Sequence, residues 1–253
     1  MRADQLLVER GLAASRSQAA RLIAAGLRWR MGADAAWRRV GKNGDELPAA
    51  AQLELLDTAE ARYVSRGGLK LEGALAACGV AVRDGVCLDV GQSTGGFTDC
   101  LLRHGARRVI GVDVGHGQLH PRLRADARVL AFEGVNARYL TRDDLPGMPA
   151  QGFDWIVGDL SFISLTLVLP VFAPLLARDG ALLLLVKPQF ELQPGQIGKG
   201  GVVRDPALYG PVEQRMRVAC AALGLRVLAW ISSPIAGGDG NREFFMHAVR
   251  GAL

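Results

Sequence analysis

Lys187 follows the apolar run "LLLLV" and heads "KPQFE". A run of that kind between Gly180 and Pro188 predicts a strand buried on both faces. Such a strand delivers its lysine at the carboxyl end. Asp159 closes another strand-like stretch, "FDWIVGD", and Glu243 opens the last one, over 243–249. Lys70 lies in "SRGGLKLEGAL", on a predicted helix ahead of the first large-domain strand. One amine and two carboxylates at strand ends, with a second amine on a helix, suit the deprotonation and orientation of a weak nucleophile such as a hydroxyl, where a positioned base is worth roughly 10²–10⁴ in rate. A lysine titrates near pKa 10.4, so the base reading requires burial and the second amine to outweigh the carboxylates. The plain structural alternatives are a snorkelling strand-end lysine, a helix cap at Asp159, an edge-strand surface residue at Glu243 and a solvated helix residue at Lys70.

A second constellation is "LDVGQSTGGFTDCLLRHGA", which runs from strand through a glycine turn into helix. Gly91, Gly95 and Gly96 allow a tight turn and a close backbone approach to a ligand. Dinucleotide folds use G-x-G-x-x-G with a pyrophosphate on the helix end. Here the spacing is G-x-x-x-G-G, and Asp89 stands just ahead of the first glycine. An acid there repels pyrophosphate and attracts a cationic amino-acid group, as in S-adenosylmethionine. The next strand ends at Asp113 in "GVDVG", where an acid accepts hydrogen bonds from ribose hydroxyls of either cofactor type. The acceptor clue comes from "GDLSF", 158–162. Methylators of exocyclic amines carry Asn/Asp-Pro-Pro-aromatic there, and no proline follows Asp159. That counts against base N-methylation, and the four charged residues would suit a weakly nucleophilic ribose 2′-hydroxyl, with in-line geometry supplying the remainder.

These residues need a scaffold that brings strand ends together. Strand-like segments fall at 86–90, 108–113, 128–132, 153–159, 181–187, 225–232 and 243–249, with helical stretches between most of them. This alternation predicts an α/β fold, a Rossmann-like seven-stranded sheet covered on both faces, with ligands at the carboxyl ends of the strands. In a methyltransferase sheet the final strand runs antiparallel beside the fifth, so Glu243 should meet Lys187 and Asp159. The chain has 253 residues, 49% hydrophobic and 22% charged, enough for one large domain and one small one. Four cysteines without CxxC spacing suggest neither zinc nor a disulfide framework and fit a reducing cytoplasm. His116 and His120 are four apart, but Gly115 and Gly117 argue against a helix presenting both to a metal. The longest apolar stretch, "ISLTLVLPVFAPLLA", holds two prolines and is too short to span a membrane.

Charge is unevenly placed. Residues 1–42 hold nine Lys/Arg against Asp4, Glu9 and Asp34, a balance of +6; the other 211 residues sum to −1, giving the net +5. A basic end beside a near-neutral body suggests an anionic partner for the small end. Residues 1–58 read as a module of two helices and a short β region. "ADQLLVERG" closes at Gly11, and Ser15 with Gln18 forms a capping box for "SRSQAARLIAAG". Leu22 and Ile23 face inward, with Arg16 and Arg21 on the other face. Trp29, Trp37 and several arginines follow, and "KNGDEL" carries an Asn-Gly turn signal. Residues 59–65 read as a connector and 66–253 as the large domain. "R-x-D-x-x-L" from Arg2 to Leu7, then "SRSQAARLIAAG", resembles the S4 RNA-binding domain. "LRWRMGADAAWRRVG" departs from that pattern by losing its Val-x-Val-Asn-Gly character.

Lys70, Asp159, Lys187 and Glu243 resemble the Lys-Asp-Lys-Glu tetrad of FtsJ-type ribose 2′-O-methyltransferases. With the S4-like module, "YVSRGGLKL", "STGGFTDCLL", "VDVGHGQL", "GDLSFISL" and "VKPQFE", nearly the whole chain resembles the haemolysin-A/TlyA family. The resemblance implies methylation of cytidine ribose in rRNA of the small subunit, the large subunit or both. It also implies S-adenosyl-L-methionine as cofactor, a cytoplasmic protein and ribosomal RNA or subunits as partners. Cofactor contacts then fall to Ser93, Thr94, Phe97, Val114 and Asn136 beside Asp89, the three glycines and Asp113. RNA contacts fall to Arg2, Arg16, Arg21, Arg28, Arg30 and Arg66. One stretch departs: the family's Glu-Arg-Thr-Asn-Arg reads "EGVNAR" here, Glu133 to Arg138. An RNA-binding assembly factor with a non-catalytic methyltransferase domain is the competing reading. A membrane-lysing protein lacks a segment of adequate length, and a dehydrogenase conflicts with Asp89 and the glycine spacing. "PGQIGKGGVVRD", 194–205, is not a P-loop, because Lys199 is followed by glycine and the spacing fails; it reads as a flexible loop near the site that could close over RNA, or equally as an ordinary surface loop.

Overall fold

The computed structural model describes residues 1–13, 15–56, 62–237 and 240–251. The first three residues of the expected connector, 59–61, lie outside them. The chain divides into two compact units, Met1–Leu69 and Lys70–Leu253.

In the first unit, α1 (Ala3–Glu9) and α2 (Arg16–Gly26) pack on a three-stranded sheet of β1 (Leu27–Arg30), β2 (Arg38–Arg39) and β3 (Gln52–Leu55), in the order β2-β1-β3. Leu6, Leu7, Leu22, Ile23 and Leu27 form its core. Ser15 accepts from Gln18 N at the start of α2, and the Gln18 side chain donates to the Tyr63 carbonyl. Asn43 and Gly44 form the expected turn, closed by Asp45 N donating to the Lys42 carbonyl at 3.1 Å. Neither residue takes the left-handed backbone that a type I′ turn requires, and Asp45 instead accepts from Gly41 N and Lys42 N.

The second unit is built on a seven-stranded mixed sheet: β4 (Val86–Val90), β5 (Arg108–Asp113), β6 (Val129–Glu133), β7 (Phe153–Gly158), β8 (Leu176–Val186), β9 (Leu225–Ser232) and β10 (Phe244–Arg250). Their order is β6-β5-β4-β7-β8-β10-β9. The first five are parallel; β10 runs antiparallel between β8 and β9. Expected strand positions match to within a residue, except that β8 begins five residues early, at Leu176. Strand β4 is buried throughout because helices cover both faces. Those helices are α3 (Gly67–Cys78), α4 (Gly96–Arg103), α5 (Pro121–Arg124), α6 (Leu169–Leu175), α7 (Pro188–Glu191) and α8 (Tyr209–Ala222). Phe153, Phe172 and Phe245 are its largest fully buried side chains.

Candidate active site

Asp159, Lys187 and Glu243 each stand one residue outside a strand: after β7, after β8 and before β10. Because β10 is antiparallel to β8, with Phe244 opposite Val186, all three sit at one sheet edge. Helix α3 adds Lys70. The four form an alternating chain of charge. Lys70 Nζ lies 2.6 Å from Glu243 Oε2 and 3.9 Å from Asp159 Oδ2, and Lys187 Nζ lies 2.6 Å from Asp159 Oδ1. The last contact is an ion pair without hydrogen-bond alignment, since Asp159 Oδ1 has no aligned donor. Lys187 instead donates to Ser161 Oγ at 2.8 Å. The Lys70 and Glu243 side chains are 9% and 3% exposed and Lys187 is 11%, whereas Asp159 keeps 24%. Charges so enclosed persist only when paired, which the alternation provides.

A cavity of about 360 Å³ opens over this chain, lined by Lys70, Ser161, Phe162, Lys187, Phe190 and Glu243 among others. Phe162 is 91% exposed with φ +64°, an unusual backbone for a bulky residue. Its ring lies 5.2 Å from that of Phe190. Sequence reasoning missed Ser161, Phe162 and Phe190 as lining residues. The visible signal was an aromatic three residues after Asp159 in "GDLSF". It also missed Glu191, a buried carboxylate that accepts from Ser164 Oγ at 2.5 Å and Leu165 N at 2.7 Å. Burial raises its pKa, against the lowering effect of Ser164. Glu191 thereby ties the segment after Asp159 to the segment after Lys187.

The glycine turn adjoins the tetrad. Asp89 is fully buried; one oxygen accepts from Thr98 Oγ1 at 2.7 Å and the other has no partner. Burial pushes its pKa up to about 7, with Asp159 and Asp113 adding to the rise and Thr98 opposing it. Gly91 has φ +78°, and a Cβ there would lie 2.8 Å from the Asp159 carbonyl oxygen. The glycine is what lets the ends of β4 and β7 approach. Gly95, at φ +96°, leaves no room for a Cβ beside Leu123, and Gly96 opens α4. Ser93 N and Gly115 N donate to the two oxygens of Asp113 at 2.8 and 2.7 Å. The Thr94 carbonyl accepts from His120 N, so its backbone holds the start of α5.

Val114 is 64% exposed beside Asp113. Asn136 caps the following turn by accepting from Arg138 N. The Phe97 ring is buried and stacked on Phe245, so only its backbone faces the turn. The bare Asp89 oxygen, the Cβ-free cradle at Gly91 and the acid at Asp113 suit a ligand with a cationic end and vicinal hydroxyls. Among the described residues, no cluster of three or more His, Cys, Asp or Glu is arranged to hold a metal.

In the first unit, Arg2 and Arg16 both bind buried Asp4, whose carboxyl they hold well below the usual range, the Arg2 hydrogen bond most strongly. Arg28 pairs with Glu54 and Arg30 with Gln52, and both guanidiniums lie over the Trp37 ring, at 4.9 and 4.5 Å from its centroid. Arg38, which the sequence did not single out, stacks on Trp29. Arg21 donates to the Ser17 carbonyl. Arg66 is half-buried just before α3.

Residues 63–250 match the family model described as FtsJ-like methyltransferase. The chain is 44% identical over 245 residues to the 16S/23S rRNA (cytidine-2'-O)-methyltransferase TlyA of Mycobacterium tuberculosis, covering 97% of this chain and 88% of that protein. It is 36% identical to hemolysin A of Brachyspira hyodysenteriae, covering 98% and 100%. Among solved structures, a hemolysin-named protein from Streptococcus thermophilus superposes with TM-score 0.75 at 38% identity, over 99% of this chain and 88% of that one.

Proposed function

The chain belongs to the FtsJ-like methyltransferase family, and from that premise we propose that it methylates a ribose 2′-hydroxyl, of cytidine, in 16S and/or 23S rRNA. The observation that carries this reading is the alternating Glu243–Lys70–Asp159–Lys187 chain beneath an open cavity. The substrate assignment rests on the relative named for that reaction.

The two lysines differ in their partners, which supports separate roles. Lys70 is committed to Glu243 by a 2.6 Å hydrogen bond, so its part is to hold Asp159 from the other side. Both lysines border the cavity, but Lys187 has Asp159 and Ser161 as its neighbours. Once it has given up its own proton to solvent through the cavity, Lys187 takes the proton from the 2′-hydroxyl as the oxygen becomes nucleophilic. Asp159 and Ser161 fix the amine's direction. Asp159 also stabilises the ammonium that forms. The cavity walls shield the reacting oxygen from water and hold it in line.

The turn at 89–96 fits S-adenosylmethionine, which when bound would supply an electrophilic methyl group on a sulfonium. Asp89 would accept from its ammonium, Gly91, Ser93, Thr94, Gly95, Gly96 and Phe97 would offer a close backbone, and Asp113 would accept from its ribose. Val114 would pack against its base, with Asn136 shaping that wall. Residues 1–58 act as the S4-like RNA-binding part, 59–65 as connector and 66–253 as the catalytic part. Arg2, Arg16, Arg21, Arg28, Arg30 and Arg66 would contact phosphates. The protein works in the cytoplasm, where its substrate resides.

The test is transfer of a tritiated methyl group to ribosomal subunits and naked rRNA, followed by nucleoside mapping. Labelled 2′-O-methylcytidine is expected. Label in a base rather than a ribose would sink the acceptor assignment. Absence of label on every RNA, with cofactor binding intact, would favour a non-catalytic assembly factor.

A further inference from the structure

The segment 194–205 is absorbed by none of the roles above. In the structure it is a fixed loop. Gly198 N donates to the Val202 carbonyl. Asn241, only 1% exposed, accepts from Val203 N and donates to the Gly201 carbonyl, both at 2.9 Å. The Asn241 carbonyl in turn accepts from Gly237 N, and a Cβ at Gly237 would lie 2.6 Å from Glu243 Oε1. One buried carboxamide therefore fastens the loop to the segment that carries Glu243.

Gly200 and Gly201 line the catalytic cavity. Both take left-handed backbone, at φ +81° and +78°, with nothing within 4 Å of where a Cβ would stand. Their bareness answers no crowding inside the protein; it leaves open backbone facing the cavity mouth. The loop's two cations, Lys199 and Arg204, are exposed, and among the described residues neither makes an ion pair. A rigid, side-chain-free edge flanked by two unpaired cations matches a polyanion that must lie close against it.

Building on the RNA reading, we propose that the loop 198–204 is a phosphate-binding edge for the acceptor strand, and that Asn241 is the residue that positions it. Lys199 and Arg204 contact the phosphodiesters next to the target ribose. The glycines let that backbone approach near enough for the hydroxyl to reach Lys187. Phosphate contacts of this kind set register and carry no sequence preference.

The test compares Lys199→Ala, Arg204→Ala and Asn241→Ala with Arg178→Ala, which removes a cation near the opposite end of β8. Binding of the full-length protein to rRNA is measured against salt concentration, with methyl transfer and cofactor affinity in parallel. Each loop cation removed should weaken RNA binding about tenfold and reduce the salt slope by about one. KM for RNA should rise while kcat and cofactor affinity hold. Asn241→Ala should weaken RNA binding without removing any charge. Loop variants that behave like Arg178→Ala overturn the proposal, as does a wild-type protein that binds no rRNA. Should Asn241→Ala fail to fold, the two cation variants still decide. A wild type that binds rRNA but transfers no methyl group would instead overturn the catalytic reading, and the slopes would still decide this one.

Discussion

Asp89 has one carboxylate oxygen held by Thr98 and the other bare in a fully buried site. Its folded pKa of about 7 lies above the ordinary carboxylate value of 3.8. The folded state therefore binds the proton more tightly, and Asp89's contribution to stability falls as pH rises from about 4 to about 7. Cofactor-free protein should lose thermal stability across that window, and Asp89→Asn should flatten the dependence; a melting series against pH checks this. Affinity for S-adenosylmethionine should rise over pH 6 to 8, with a proton released on binding, because only the ionised carboxylate pairs with an ammonium. Calorimetry in two buffers of different ionisation enthalpy reads that proton. At the other site, Lys187→Ala should lower kcat by roughly 10²–10⁴ with cofactor affinity nearly unchanged. Retained activity would end the tetrad assignment. Lys70→Ala should also disable catalysis, and it should cost stability, since it strands the buried Glu243 carboxylate.

Two features act at the level of elements. Gly91 occupies the contact between the ends of β4 and β7, where a Cβ would press on the Asp159 carbonyl. Gly91→Ala adds a Cβ in a left-handed backbone. It should cost about 1–3 kcal/mol, lower the melting temperature, and reduce kcat by displacing Asp159. Glu191 joins α7 to the segment after β7 through Ser164 and Leu165. Arg215 of α8 donates to the Glu191 carbonyl, so three elements meet there. Removing its carboxylate leaves Leu165 N unpaired in the interior, a loss of about 1–3 kcal/mol. Glu191→Ala should lower both stability and kcat, and Glu191→Gln should restore the stability better than the rate. Denaturant melts beside single-turnover assays separate the two effects.

At the scale of the molecule, charge and catalysis are divided between the two compact units. Residues 1–42 carry the +6 excess, while Lys70 and Lys187 of the second unit are paired with carboxylates of that unit. In the first unit, Asp4 and Glu54 engage Arg2, Arg16 and Arg28, and Trp29 and Trp37 carry stacked guanidiniums. That unit should supply affinity, and the second should supply turnover. The triple change Arg28→Ala, Arg30→Ala and Arg38→Ala should raise KM for RNA. It should also flatten the salt dependence by about one for each phosphate no longer neutralised. Turnover at saturating RNA should stay close to wild type, and a steady-state salt series reads both.

The sequence by itself determined the α/β alternation, the seven strand positions apart from the start of β8, the glycine turn and the four charged residues gathered at one sheet edge. Each depends on local pattern: runs of Val and Leu, glycines at fixed spacing, charges at the ends of apolar runs. Placing Glu243 beside Lys187 required one topological rule, the antiparallel last strand, which the register of β10 on β8 bears out. The turn signalled at Asn43-Gly44 forms, closed by Asp45 N on the Lys42 carbonyl, while the Asp45 side chain that braces it lies outside the dipeptide. Tertiary structure alone decided what each charge touches. Lys70 reaches Glu243 across 173 residues, Asn241 reaches Val203 across 38, and Glu191 reaches Ser164 across 27. Hydrogen bonds between such distant positions leave no periodicity to read. Only the packed sheet edge fixes which cavity-lining lysine bonds to Glu243 and which to Ser161.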